Sequence, residues 1–88
     1  MVRVRVVVSG RVQGVWYRQS CREHARASGL GGWVRNLSDG SVEAALEGEP
    51  AAVESVLAWM ADGPPLAVVT RVDVTDEPPT GETDFRVR

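Results

Sequence analysis

Residues Val2 to Val8 read Val-Arg-Val-Arg-Val-Val-Val, and no other stretch limits the possible folds as strongly. Val2, Val4, Val6 and Val8 fall on one side of an extended chain, with Arg3 and Arg5 on the other. Period-two alternation in β-branched residues marks a half-buried strand, so one sheet face must be covered by something apolar. Ser9-Gly10 ends the run, and a loop over residues 10–17 follows. From about Tyr17 to Ser28 the period lengthens: Tyr17, Cys21, His24, Ala25 and Ser28 recur at helical spacing, and Gly29 suits the position just past a helix. The chain therefore opens as strand, glycine-bearing loop, helix.

The same reading continues to the end. Trp33–Leu37 and Ser41–Glu47 are two strands joined through Ser38-Asp39-Gly40, and Asp-Gly is a strong hairpin signal. Pro50 opens a second helix with an apolar stripe of Val53, Val56, Leu57 and Met60, with Trp59 at its flank. Gly63-Pro64-Pro65 stops it. Leu66 to about Thr75 forms a strand with Val68, Val72 and Val74 on one face, Pro78–Gly81 a turn, and Phe85 and Val87, alternating with Asp84, Arg86 and Arg88, a short terminal strand. The order βαββαβ plus a C-terminal strand predicts an α+β, ferredoxin-like sandwich, with two helices packed on one face of an antiparallel sheet. At 88 residues the chain is expected to be one stand-alone domain, 1–88, with too little core to enclose a large cavity.

Composition narrows the function. All ten basic residues are arginine, and the formal net charge is −2. A nucleic-acid binder carries a basic excess, and the first strand has no aromatic residue on which a base could stack. No apolar run approaches a membrane span and no export signal is visible. Cys21 is the sole cysteine and cannot form an internal disulfide, which fits a reducing, cytoplasmic setting. The expectation is a cytoplasmic monomer that touches neither membrane nor nucleic acid.

Chemistry concentrates in Ser9-Gly10-Arg11-Val12-Gln13-Gly14-Val15-Trp16-Tyr17-Arg18. The loop leaves a strand and enters a helix, whose first N–H groups lack partners and carry partial positive charge. Glycines let successive amides converge on an anion, and Arg18 can add a bidentate grip on phosphate oxygens. By local chemistry alone this is either an anion-binding loop or a plain glycine turn beside a solvated arginine. It is not a Walker A motif, because Val15 follows Gly14. Asn36, the only asparagine, ends a strand. Its amide can hold a water and a phosphate oxygen, or simply serve the turn that follows.

Competing sites are weaker. A thiol phosphatase needs an arginine six positions beyond its cysteine, and that position is Ala27; Cys21 on the apolar stripe reads as a buried, inert thiol. His24 reads as a partly buried packing residue, with no carboxylate or thiol at ligand spacing. Asp73, Asp76, Glu77, Glu82 and Asp84 read as a solvated surface, not a cation site. No metal and no cofactor is expected.

Taken together, Gly10-Arg-Val-Gln-Gly-Val-Trp-Tyr-Arg18, Gly32-Trp-Val-Arg-Asn36 and Asp39-Gly40-Ser-Val-Glu43 resemble the signature stretches of the acylphosphatase family. The similarity extends to length, element order and the closing Phe85-Arg86-Val87-Arg88. It implies hydrolysis of carboxyl–phosphate anhydrides in small acyl phosphates, without a metal or covalent intermediate. Arg18 and the backbone amides of Arg11, Val12, Gln13, Gly14, Val15 and Trp16 would bind the phosphate, or another oxyanion, and Asn36 would orient the attacking water. Trp16 and Tyr17 fall at positions often occupied by phenylalanine, and Cys21 replaces a commoner threonine. A non-catalytic anion-binding domain, an RNA module of the same topology and a carbamoyl-phosphate-processing domain of a larger enzyme are the alternatives.

Overall fold

A computed structural model describes residues 1–88. The elements are β1 (Val2–Arg11), α1 (Tyr17–Ala27), β2 (Gly31–Asn36), β3 (Val42–Gly48), α2 (Pro50–Asp62), β4 (Val68–Glu77) and β5 (Phe85–Val87). They form one five-stranded sheet in the order β4-β1-β3-β2-β5. β1 lies between β3 and β4 and β3 between β1 and β2, all antiparallel. The last pair departs from the all-antiparallel expectation: β5 runs parallel to β2, with Gly32 opposite Phe85 and Val34 opposite Val87. The sheet is thus mixed. The chain enters β5 after crossing the sheet from β4 at the opposite edge, which sets its direction.

Valine alternation places the core. Val4, Val6 and Val8 face Leu46, Ala44 and Val42 across the β1–β3 ladder, and all six are buried. Val34 and Phe85 extend that face. Tyr17, Cys21 and Ala25 from α1 and Val53, Val56 and Met60 from α2 cover it, completing one cluster of buried apolar residues. The Tyr17 hydroxyl donates to the Met60 carbonyl at 2.7 Å and ties the two helices. His24 differs from expectation: it is exposed and stacks flat on Trp59, ring centroids 4.4 Å apart.

The opposite face carries no helix, yet it is not simply polar. Trp33 is only 5% exposed there, because the guanidinium groups of Arg5, Arg35 and Arg88 lie 5.7, 5.1 and 4.5 Å from its ring centre. Such cation–π contacts occupy the surface on which a base would stack. The acidic residues read as solvated are largely paired: Glu77 and Glu82 with Arg3, Asp73 with Arg71, Asp84 with Arg26.

Two strand boundaries move for a steric reason. β1 continues three residues past Val8 because β4 carries a bulge between Val69 and Arg71, opposite Ser9 and Gly10. The extra residue, Thr70, shifts the parity of β4. Val69 and Val72 pack on the core, whereas Val68, assigned to that face by simple alternation, is exposed; Val74 stays in register with Val72 yet is also exposed, at the sheet edge. A Cβ on Gly10, whose φ is +118°, would collide with the Val68 carbonyl. Likewise β2 begins at Gly31 rather than Trp33, since Gly32 at φ +132° lies against the Ala45 carbonyl with no room for a side chain. Both glycines permit backbone approach that any other residue would block.

Candidate active site

The turn from β1 into α1 frames a cleft of about 290 Å³, the lower end of the range for small-ligand sites. Val12, Gln13, Gly14 and Trp16 line it from the loop, Tyr17, Arg18 and Gln19 from the first turn of α1, and Asn36 from the end of β2. Arg18 and Asn36, far apart in sequence, therefore share one cavity. Period two explains this: Asn36 follows Val34 on the helix-bearing face, opposite Val42, so its side chain points toward the start of α1. Arg11 and Val15 do not line the cleft. Arg11 closes β1 opposite Val68, and Val15 is buried among the core residues.

Several polar groups around the cleft lack partners. The backbone N–H groups of Gln13, Gly14, Val15 and Trp16 donate to no protein acceptor. The N-terminus of α1 has no side-chain cap and no acidic residue in its first turn, leaving its positive end uncompensated. Arg18 is half-buried and belongs to none of the ion pairs that engage Arg3, Arg5, Arg26, Arg35 and Arg71. The Asn36 Oδ1 is buried with no hydrogen-bond partner, a condition that costs on the order of 1–3 kcal/mol unless something accepts or donates there. Of these residues, Gln13, Gly14, Trp16, Arg18 and Asn36 all line the one cleft. Such a set suits an oxyanion together with a hydrogen-donating small molecule such as water.

Gln13 contributes in a way the sequence did not reveal. Its side-chain Nε2 donates to the Leu37 carbonyl at 2.8 Å and the Ser41 carbonyl at 2.9 Å. These two carbonyls flank the Asp39-Gly40 turn, so Gln13 fastens the loop to the hairpin that carries Asn36. Its partners lie 24 and 28 positions away, beyond any local pattern. Gln19 was missed as well; only its place on the first helical turn, one residue past Arg18, could have signalled it.

Cys21 stands apart from this chemistry. It is buried, and burial pushes its thiol up to about 12. No group of three His, Cys, Asp or Glu side chains comes together as a metal site. No helix is long and apolar enough to cross a membrane.

A ferredoxin-like sheet with an unpaired amide loop and a free arginine at its β1–α1 turn defines a small α+β domain whose site suits an anion. Comparison with known proteins makes this specific. The family model described as Acylphosphatase matches residues 4–87. An acylphosphatase of Methylococcus capsulatus is 56% identical over 88 residues, covering 99% of this chain and 96% of that protein. One from Thermococcus kodakarensis is 52% identical over 86 residues, covering 98% and 94%. The crystal structure of acylphosphatase from Bacillus subtilis superposes with a TM-score of 0.96 at 36% identity, covering 100% of this chain and 99% of that one. The chain belongs to the acylphosphatase family, hydrolases acting on acid anhydrides.

Proposed function

We propose that this cleft hydrolyses the carboxyl–phosphate bond of small acyl phosphates by direct attack of water. The observation that carries the reading is the gathering of unpaired groups on residues of one cleft: the amides of Gln13, Gly14 and Trp16, the Arg18 guanidinium and the Asn36 Oδ1. The amides and Arg18 hold the phosphate oxygens. Asn36 Oδ1 accepts a hydrogen bond from the water and aims its lone pair at phosphorus. As the water oxygen–phosphorus bond forms, the bond from phosphorus to the acyl oxygen breaks. The electron pair leaves with the carboxylate, and the water's protons pass to phosphate and solvent. A carboxylate is stable as an anion, so no general acid need protonate it. Phosphoryl transfer through a loose transition state asks chiefly for positioning and charge stabilisation, which these residues supply without a cofactor.

Residues 1–88 act here as one domain with a single core. The free, buried Cys21 fits a cytoplasmic site of action. The uncovered sheet face, laced with arginine–glutamate pairs rather than apolar side chains, fits a monomer.

The test is turnover of an acyl phosphate by wild type, Arg18→Ala and Asn36→Ala. Each substitution lowers kcat/KM on the order of 10²–10³-fold. Arg18→Ala also weakens competitive inhibition by inorganic phosphate, whereas the Asn36→Ala loss falls on kcat. Undiminished turnover in both variants would sink the mechanism.

A further inference from the structure

Apart from glycines, Trp16 is the only residue with positive φ, at 68°. The left-handed region is unfavourable for a bulky side chain, and strain of this kind collects at ligand clamps. Core packing does not explain it: Val15 and Tyr17 on either side are buried, while Trp16 is 72% exposed. Capping does not explain it either, because Trp16 occupies the N-cap of α1 with no side-chain cap bond, where a small polar residue or glycine fits better. What Trp16 does have is a place in the wall of the cleft that holds Arg18 and Asn36. Its side chain is the one large, exposed apolar group among the lining residues.

A phosphate on the loop amides and Arg18 would leave the acyl group to the rest of the lining, where Trp16 offers the exposed apolar surface. Arg18 is the only charged residue in the lining, and the phosphate occupies it. A second anionic group on the acyl chain would meet no cation there; a flat apolar group would meet an indole. We propose that Trp16 is a specificity-determining residue that stacks on the acyl group, so that the enzyme favours acyl phosphates whose acyl group is planar and apolar, aromatic ones above all. This rests on the acylphosphatase reading given above. Stacking pairs of this kind discriminate by roughly tenfold.

The experiment compares kcat/KM for benzoyl, acetyl and succinyl phosphate in wild type, Trp16→Gly and Trp16→Phe, with inhibition constants for phenylphosphonate and methylphosphonate as a readout without turnover. Wild type prefers benzoyl over acetyl phosphate by about tenfold, gains nothing from the succinyl carboxylate, and binds phenylphosphonate more tightly than methylphosphonate. Trp16→Gly, which relieves the left-handed strain and melts no lower than wild type, brings both ratios to within about twofold; Trp16→Phe restores most of them. Unchanged benzoyl-to-acetyl and phenyl-to-methyl ratios in Trp16→Gly, or a wild-type preference for succinyl phosphate, overturns the proposal. Wild type that hydrolyses none of the three instead overturns the acylphosphatase mechanism itself, which separates the two failures.

Discussion

Cys21 and Arg18 lie three residues apart on one helix, and burial gives them opposite fates. Cys21 faces the core, where its thiol is pushed up to about 12 by desolvation. A thiolate is the reactive form, so a native thiol that is both protonated and unreachable is inert. A thiol reagent at pH 8 is therefore expected to modify Cys21 only as fast as the protein unfolds, and at once in denaturant. Rapid stoichiometric labelling of the native protein, followed by absorbance, would contradict this. Arg18 is turned toward the loop instead. Arginine usage alone could not single it out, since every basic residue is arginine. Its lack of an ion pair and its place in the cleft beside Asn36 do.

At the scale of elements, the site is a junction between two local structures. The β1–α1 loop supplies amides and Arg18; the β2–β3 hairpin supplies Asn36. Neither can hold phosphate and water in line by itself. Gln13 joins them through its two hydrogen bonds to the hairpin carbonyls. Replacing it with methionine keeps the shape and removes both donors. Misplacement of about 1 Å can cost a hundredfold in rate, so Gln13→Met is expected to lower kcat about tenfold to a hundredfold. If Gln13 acts by positioning Asn36, the same substitution costs little more in an Asn36→Ala background. Steady-state kcat for the four proteins of this cycle decides the matter, and fully additive losses would refute the coupling.

For the whole molecule, the notable feature is a carboxylate that fastens one edge of the sheet. Glu47, at the end of central strand β3, is 1% exposed. It accepts hydrogen bonds from the Thr80 N–H at 2.9 Å and the Gly81 N–H at 2.7 Å, and pairs with Arg3 at 3.0 Å. It thereby anchors the segment that leads across the sheet into β5. These bonds, the Thr80 amide first among them, hold the Glu47 carboxyl down at about 2, against an ordinary 4.5. A carboxyl lowered by folding contributes stability above its unfolded value and loses it as pH falls toward the folded one. The melting temperature is thus expected to drop between pH 4.5 and pH 2. Glu47→Gln lowers it at neutral pH and flattens the decline in that acid window. Parallel Tm–pH curves for the two proteins would show that Glu47 plays no such part.

Much of this was legible in the chain. Valine alternation in β1, the helical stripe of Tyr17, Cys21 and Ala25, and Asp39-Gly40 between two strands are local patterns, set by the backbone geometry of a few neighbouring residues. They determine the number, type and order of the elements, and so the α+β sandwich. The cleft residues Arg18 and Asn36 were legible as residues, though alone Arg18 read equally as a solvated arginine and Asn36 more readily as part of the turn. Only the tertiary structure decided the rest. The Thr70 bulge and the extension of β1 depend on close approach of two backbones. The parallel β5, the bonds from Gln13 to residues 37 and 41, and the Glu47 anchor at residues 80 and 81 join parts of the chain separated by more than twenty positions. Such contacts leave no periodicity to read, because they follow from how finished elements pack, not from how each one forms.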